Sequence, residues 1–143
     1  MTPRTVPDMA RVGRLDELVE LVGDAGPLYI RFSAGPEPDA TSTSRDGESG
    51  AVLPGLSVNR LDPEPWWRRP TREWVARQLV QYAHLGGDGR FPWVLLGREV
   101  GRGPDSEPLV VDVRPVAVVD PAVLDEASTV YREAFAPGRL PDR

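Results

Sequence analysis

The sequence predicts an α+β domain, a mainly antiparallel sheet flanked by three helices. Three observations carry this. Apolar residues recur with a helical period in three segments, and alternate with polar residues or run together in four strand-length segments. The order of these segments is helix, strand, loop, strand, helix, strand, strand, helix, which lacks the strict alternation of a doubly wound parallel sheet. Finally, 143 residues, 40% hydrophobic and 27% charged, are one domain's length of chain with enough apolar side chains for a core. The expected domain spans residues 1–143, with an ordered core over about 14–136.

Residues 1–12 are polar and proline-containing and read as a loose terminus. In RLDELVELV, Leu15, Leu18, Val19 and Val22 fall on one helix face, with Gly23 as the expected C′ residue. In PLYIRFS, Leu28, Ile30 and Phe32 alternate with Tyr29, Arg31 and Ser33, the pattern of a half-buried strand. Residues 34–50 form a long polar loop, a length that in compact domains points to function or disorder.

After the Pro54-Gly55 turn, Leu56 and Val58 share one strand face and Ser57 and Asn59 the other. Thr71 is placed to cap a helix that runs to about Leu85 and stops at Gly86-Gly87. Residues 93–100 read as a buried strand. Residues 109–119 read as a long strand, or two, in which Pro115 marks an edge or a bulge. Asp120-Pro121 then opens the last helix, with Val123, Ala127, Val130, Tyr131 and Ala134 on its apolar face.

Composition excludes several chemistries. Cysteine is absent, so there is no disulfide and no thiol nucleophile. All 17 basic residues are arginine, which removes Schiff-base and P-loop lysine chemistry. The one histidine, His84, cannot build a zinc site of several histidines, and it reads as a helix-end residue. Glu37, Asp39, Asp46 and Glu48 lack EF-hand spacing, so no metal is expected. The net charge of −5 argues against nucleic-acid or anionic-membrane partners. With no apolar run long enough for a signal peptide or a membrane span, a soluble cytoplasmic protein is expected.

The polar candidates are Arg31, Ser57 and Glu107, each on or beside a predicted strand. Arg31 offers a fixed fork of donors, Ser57 a small hydroxyl, and Glu107 a carboxylate held extended by Pro108. Meeting in one cleft, the three would bind an anionic nucleotide and stabilise a cation developing on its sugar. The plain structural alternative pairs Arg31 with Glu107 or Asp112 across the sheet.

LYIRFS, GLSV, the helix from Trp74 and DSEPLVV, in that order, resemble the mono-ADP-ribosyltransferases of the Arg-Ser-Glu type over about residues 27–119. The resemblance implies an ADP-ribosyltransferase-like core and NAD as cofactor. It implies Arg31 on the NAD phosphate or ribose, Ser57 orienting the site, and Glu107 bonding the ribose 2′-hydroxyl. Asp105 would be the acceptor-side residue. By strand alternation Tyr29, Ser33 and Asn59 would line the cofactor site, and the acceptor would be an unspecified protein or small molecule. The chain departs from that pattern in lacking Ser-Thr-Ser at the middle strand, in carrying Asp105 where Glu or Gln is usual, and in Pro108 after Glu107. LYIRFS, LPGLSVN, the paired tryptophans, WVARQL and GRGPDSEPLV also resemble a small single-domain family of unknown function from high-G+C bacteria.

A second reading, of a different class, is a non-catalytic protein-interaction module. It would use the Trp66/Trp67 surface or the 34–50 loop. The bland form of the same cluster has Arg68 and Arg69 lying over tryptophan faces at the end of the core.

Overall fold

The computed structural model describes residues 9–25, 27–36, 39, 54–81, 89–104 and 106–135. In chain order these form β1 (Ala10–Val12), α1 (Leu15–Ala25), β2 (Tyr29–Ser33), β3 (Leu56–Ser57), β4 (Asn59–Arg60), α2 (Thr71–Val80), β5 (Phe91–Arg102), β6 (Pro108–Val119) and α3 (Pro121–Phe135). The architecture is α+β: among the described residues, three helices of eight or more residues lie on a mixed six-stranded sheet.

The sheet runs β1-β6-β5-β2-β4, and β3 pairs with β6. Only Val58 separates β3 from β4, so residues 56–60 are one extended segment with two partners. Its first part is antiparallel to β6 and its second to β2. The path β6-β5-β2 therefore closes on itself through this segment. Two backbone bonds complete the join, Val58 N–H to the Pro108 carbonyl at 3.1 Å and Leu61 N–H to the Leu28 carbonyl at 2.9 Å. Closure into so small a barrel demands strong bending. The β5–β6 hairpin supplies it through register shifts at Val94/Leu95, Leu96/Arg98 and Glu99/Gly101. Pro115 sits opposite Leu95 at the first shift, between the stretches of β6 that pair with β3 and with β1.

Closure creates two cores. Tyr29, Leu56, Val58, Trp93, Leu95 and Val110 fill the inside of the barrel. On its outer face Leu28, Ile30, Leu61, Val94, Ala117 and Val119 meet Leu15, Leu18, Val22, Trp74, Val75, Leu79, Val123 and Ala127. All three helices thus contribute to one layer against the sheet. The strand alternation predicted at residues 28–33 and 56–59 holds: Leu28 and Ile30 are buried on one face and Tyr29 and Ser33 on the other, while in the second segment Leu56 and Val58 are buried and Ser57 and Asn59 half-buried.

Three local expectations are corrected. Residues 10–12 are not part of a loose terminus. They pair in parallel with Ala117–Val119, because that edge of β6 has backbone groups to satisfy and Val12 an apolar site to fill. Gly23 lies inside α1, which continues to Ala25. Thr71 is the first residue of α2 rather than its cap. The cap position is Pro70, which makes no side-chain capping bond. The expected end of that helix with His84, Asp105, most of the 34–50 loop and the tail beyond Phe135 lie outside the described residues. Among the described residues no helix is long and apolar enough to cross a membrane.

Gly55 tests the closure. A Cβ there would stand 2.9 Å from the Val110 carbonyl oxygen and 3.0 Å from its nitrogen, main-chain atoms that cannot give way. Gly55→Ala is expected to destabilise the fold by about 1–3 kcal/mol in denaturant titration. A neutral result would mean that residues 55–57 do not lie against β6 in solution.

Candidate functional site

Alternation along β2 places Arg31 with Tyr29 and Ser33 on the inner side of the barrel wall. A guanidinium there needs partners, and the structure supplies them. Arg31 Nε donates to Asp39 Oδ2 at 2.6 Å, and its Nη1 donates to the Ser57 carbonyl at 2.7 Å. Ser33 Oγ donates to the same Asp39 oxygen at 2.6 Å and accepts from Trp93 Nε1 at 3.0 Å and from Gly35 N–H at 3.1 Å. Arg31 thus pairs with Asp39. The alternative partner Asp112 instead pairs with Arg98 at 3.1 Å.

Ser57 looks the other way. Leu56 and Val58 point into the barrel, so Ser57 and Asn59 point out. Ser57 stands opposite Leu109 on β6, and Glu107, two residues before Leu109, shares that side. Ser57 Oγ donates to Glu107 Oε2 at 2.8 Å. The carboxylate is presented by a tight turn between β5 and β6. Gly103 N–H donates to the Glu107 carbonyl at 2.8 Å, and Ser106 N–H to the Gly103 carbonyl at 2.9 Å. Arg102 Nη1 donates to the Ser106 carbonyl at 3.0 Å, and Ser106 takes a left-handed conformation with φ 64°.

Ser57, Asn59 and Glu107 line a cavity of about 690 Å³, with Arg77 and Gln78 of α2 and Arg102 of β5 among its other walls. Trp74 Nε1 and Gln78 Nε2 both donate to the Arg60 carbonyl, at 3.3 and 2.9 Å, and so fasten α2 to β4. Trp66 stands at the same cavity, 60% exposed, edge-on to Trp67 and Trp74. The arginines expected over tryptophan faces are not Arg68 and Arg69. Arg77 lies over Trp67 and Trp74, and Arg69 over Phe135. Helix α2 brings Arg77 across the cluster because its Trp74 is the indole anchored in the core.

Of the residues predicted from the sequence, Ser57, Glu107 and Asn59 meet at the cavity. Arg31 reaches only the back of its wall, through the Ser57 carbonyl. Tyr29 and Ser33 are buried inside the barrel. Asp105 lies outside the described residues. Sequence reasoning did not single out Arg77 and Gln78, whose polar face on WVARQL is ordinary for a half-buried helix. Nor did it find Asp39 as the partner of Arg31, since no spacing rule links a strand to a polar loop.

Among the described residues, Tyr29 and Asp62 have shifted titration. Burial, reinforced by the bond to Glu99 at 2.8 Å, pushes the Tyr29 phenol up to about 12. Burial also raises the Asp62 carboxyl above its ordinary value, opposed by the Leu28 N–H at 2.6 Å and by Arg60.

Arg31→Ala leaves the Asp39 carboxylate, whose side chain is 9% exposed, without its guanidinium. It is expected to lower stability by about 2–3 kcal/mol, read by denaturant unfolding. Tyr29 gives a pH signature. Its folded value lies above the ordinary 10.0, so its contribution is complete below pH 10 and is lost as pH rises through about 12. Across that window the melting temperature of the wild type should fall more steeply than that of Tyr29→Phe. Parallel curves would contradict the assignment.

No curated protein and no solved structure matches the chain. A family model matches residues 5–139, nearly the full length, and the chain accordingly belongs to DUF6098, a family of unknown function.

Proposed function

We propose that the cavity beside Ser57 and Glu107 binds a nucleotide of the NAD type and that Glu107 acts on its ribose, as the resemblance to ADP-ribosyltransferases implies. One observation carries the reading. The bonded Ser57–Glu107 pair opens into a cavity whose other walls include three arginines, Arg60, Arg77 and Arg102, and whose lining includes the exposed indole of Trp66. A carboxylate holds sugar hydroxyls, guanidiniums hold phosphates, and an indole stacks on a planar base. A volume of about 690 Å³ is in the range of small-molecule and cofactor sites.

In this reading the Glu107 carboxylate accepts a hydrogen bond from the ribose 2′-hydroxyl and stabilises positive charge developing at C1′. The C1′–N bond breaks and its electron pair leaves with nicotinamide. Water or an acceptor nucleophile adds to C1′ and gives up a proton. Asp105, two residues before Glu107, is the acceptor-side residue, and the acceptor is a protein or a small molecule. Arg31 acts one step back, holding the Ser57 backbone from inside the barrel. The exposure of Trp66 favours a second reading, a module that docks a partner protein through this indole.

Calorimetric titration of NAD⁺ separates the two. The wild type should bind saturably. Arg77→Ala should weaken binding about tenfold, the loss of one charge-assisted contact. Glu107→Gln should keep most of the affinity but slow nicotinamide release by about 10²-fold or more. No heat at millimolar NAD⁺ from folded protein would overturn the nucleotide reading and leave the Trp66 surface as the site.

A further inference from the structure

We infer that Gly103 is a positioning residue for Glu107: its missing side chain is the seat on which the Glu107 carboxylate rests while it accepts the bond from Ser57. The consequence for ligand binding rests on the NAD reading above. The positioning itself does not.

Glycines in hairpin turns are usually explained by a positive φ. That explanation fails at Gly103. Its φ is not in the left-handed region, whereas among the described residues of this turn Ser106, a non-glycine, does lie there. What is unusual at Gly103 is the space. A Cβ built on its backbone would fall on the Glu107 carboxylate, against both oxygens and the carboxyl carbon. Any side chain at position 103 therefore competes with the carboxylate for one volume. The backbone cannot yield easily, because Gly103 N–H bonds the Glu107 carbonyl at 2.8 Å and its own carbonyl accepts from Ser106 N–H at 2.9 Å. The Glu107 side chain is flexible and would swing away, off Ser57 Oγ. Gly103, the folded-back turn and Ser57 thus hold the carboxylate between a bare stretch of backbone and a hydroxyl.

Gly101, two residues earlier on β5, is the matched control, since a Cβ there meets nothing within 4 Å. Crystal structures of Gly101→Ala and Gly103→Ala decide the point. Both variants should fold, and only Gly103→Ala should have the Glu107 carboxylate displaced from Ser57 Oγ. If Gly103→Ala melts early, adding Glu107→Ala should restore the melting temperature, because the group it collides with is gone. A Gly103→Ala structure that keeps the Ser57–Glu107 bond, or a melting loss that persists with Glu107→Ala, would overturn the inference. With NAD⁺ as probe, nicotinamide release by Gly103→Ala should fall to that of Glu107→Gln, and by Gly101→Ala it should not. If wild type binds no NAD⁺, the nucleotide reading falls, and the position of the carboxylate in Gly103→Ala still decides the role of this glycine.

Discussion

Residues 56–60 have two backbone partners to satisfy, and most of the molecule follows from that. Buried N–H and C=O groups must be paired. This short segment pairs with β6 on one side of Val58 and with β2 on the other, which closes the sheet. Once both registers are set, the period of two leaves no freedom. Leu56 and Val58 must enter the barrel, and Ser57 and Asn59 must face out. A slip of one residue would bury the hydroxyl and the amide and expose the two apolar side chains. The outward side chains of the segment are therefore held by the same bonds that close the core, and they are the ones that meet Glu107 and the cavity.

Arginine inside a small barrel is costly unless its charge is met. Arg31 is met twice, by the Asp39 carboxylate and by the Ser57 carbonyl. The second bond matters for the site. It falls on the main chain of the closing segment, directly behind the hydroxyl that bonds Glu107. The two polar groupings are thus back to back through one residue, Arg31 with Asp39 and Ser33 on the inner side and Glu107 on the outer. Helix α2 is fixed to the same segment through the Arg60 carbonyl, which accepts from both Trp74 and Gln78. Sheet, helix and hairpin turn consequently meet around Ser57.

Much of this was legible in the sequence where the signal is periodic. The alternation of LYIRFS and of LSVN gave the correct faces, and the apolar spacing of Leu15, Leu18 and Val22 gave the buried side of α1. The α+β class followed from the order of these segments. What was not legible depends on contacts between distant segments. No local pattern marks Ala10–Val12 as a strand, because its pairing answers a need of β6. No pattern tells that the strand at 56–60 closes a barrel rather than extending a sheet, and therefore that Arg31 lies inside it. Within the site, Ser57, Asn59 and Glu107 stood out as polar residues bounded by apolar strands. Arg77 and Gln78 did not, since a helix's polar face looks alike whether it borders solvent or a cavity.

The proposed ligand site is the outward side of the closing segment, with Glu107 and the facing turn of α2. Mapping backbone amide shifts during NAD⁺ addition tests it most directly. A nucleotide bound there should give saturable changes concentrated at Ser57, Asn59, Arg77, Gln78 and Gly103, with little change at Ser33 inside the barrel. Changes centred elsewhere, or none from folded protein at millimolar NAD⁺, would contradict it.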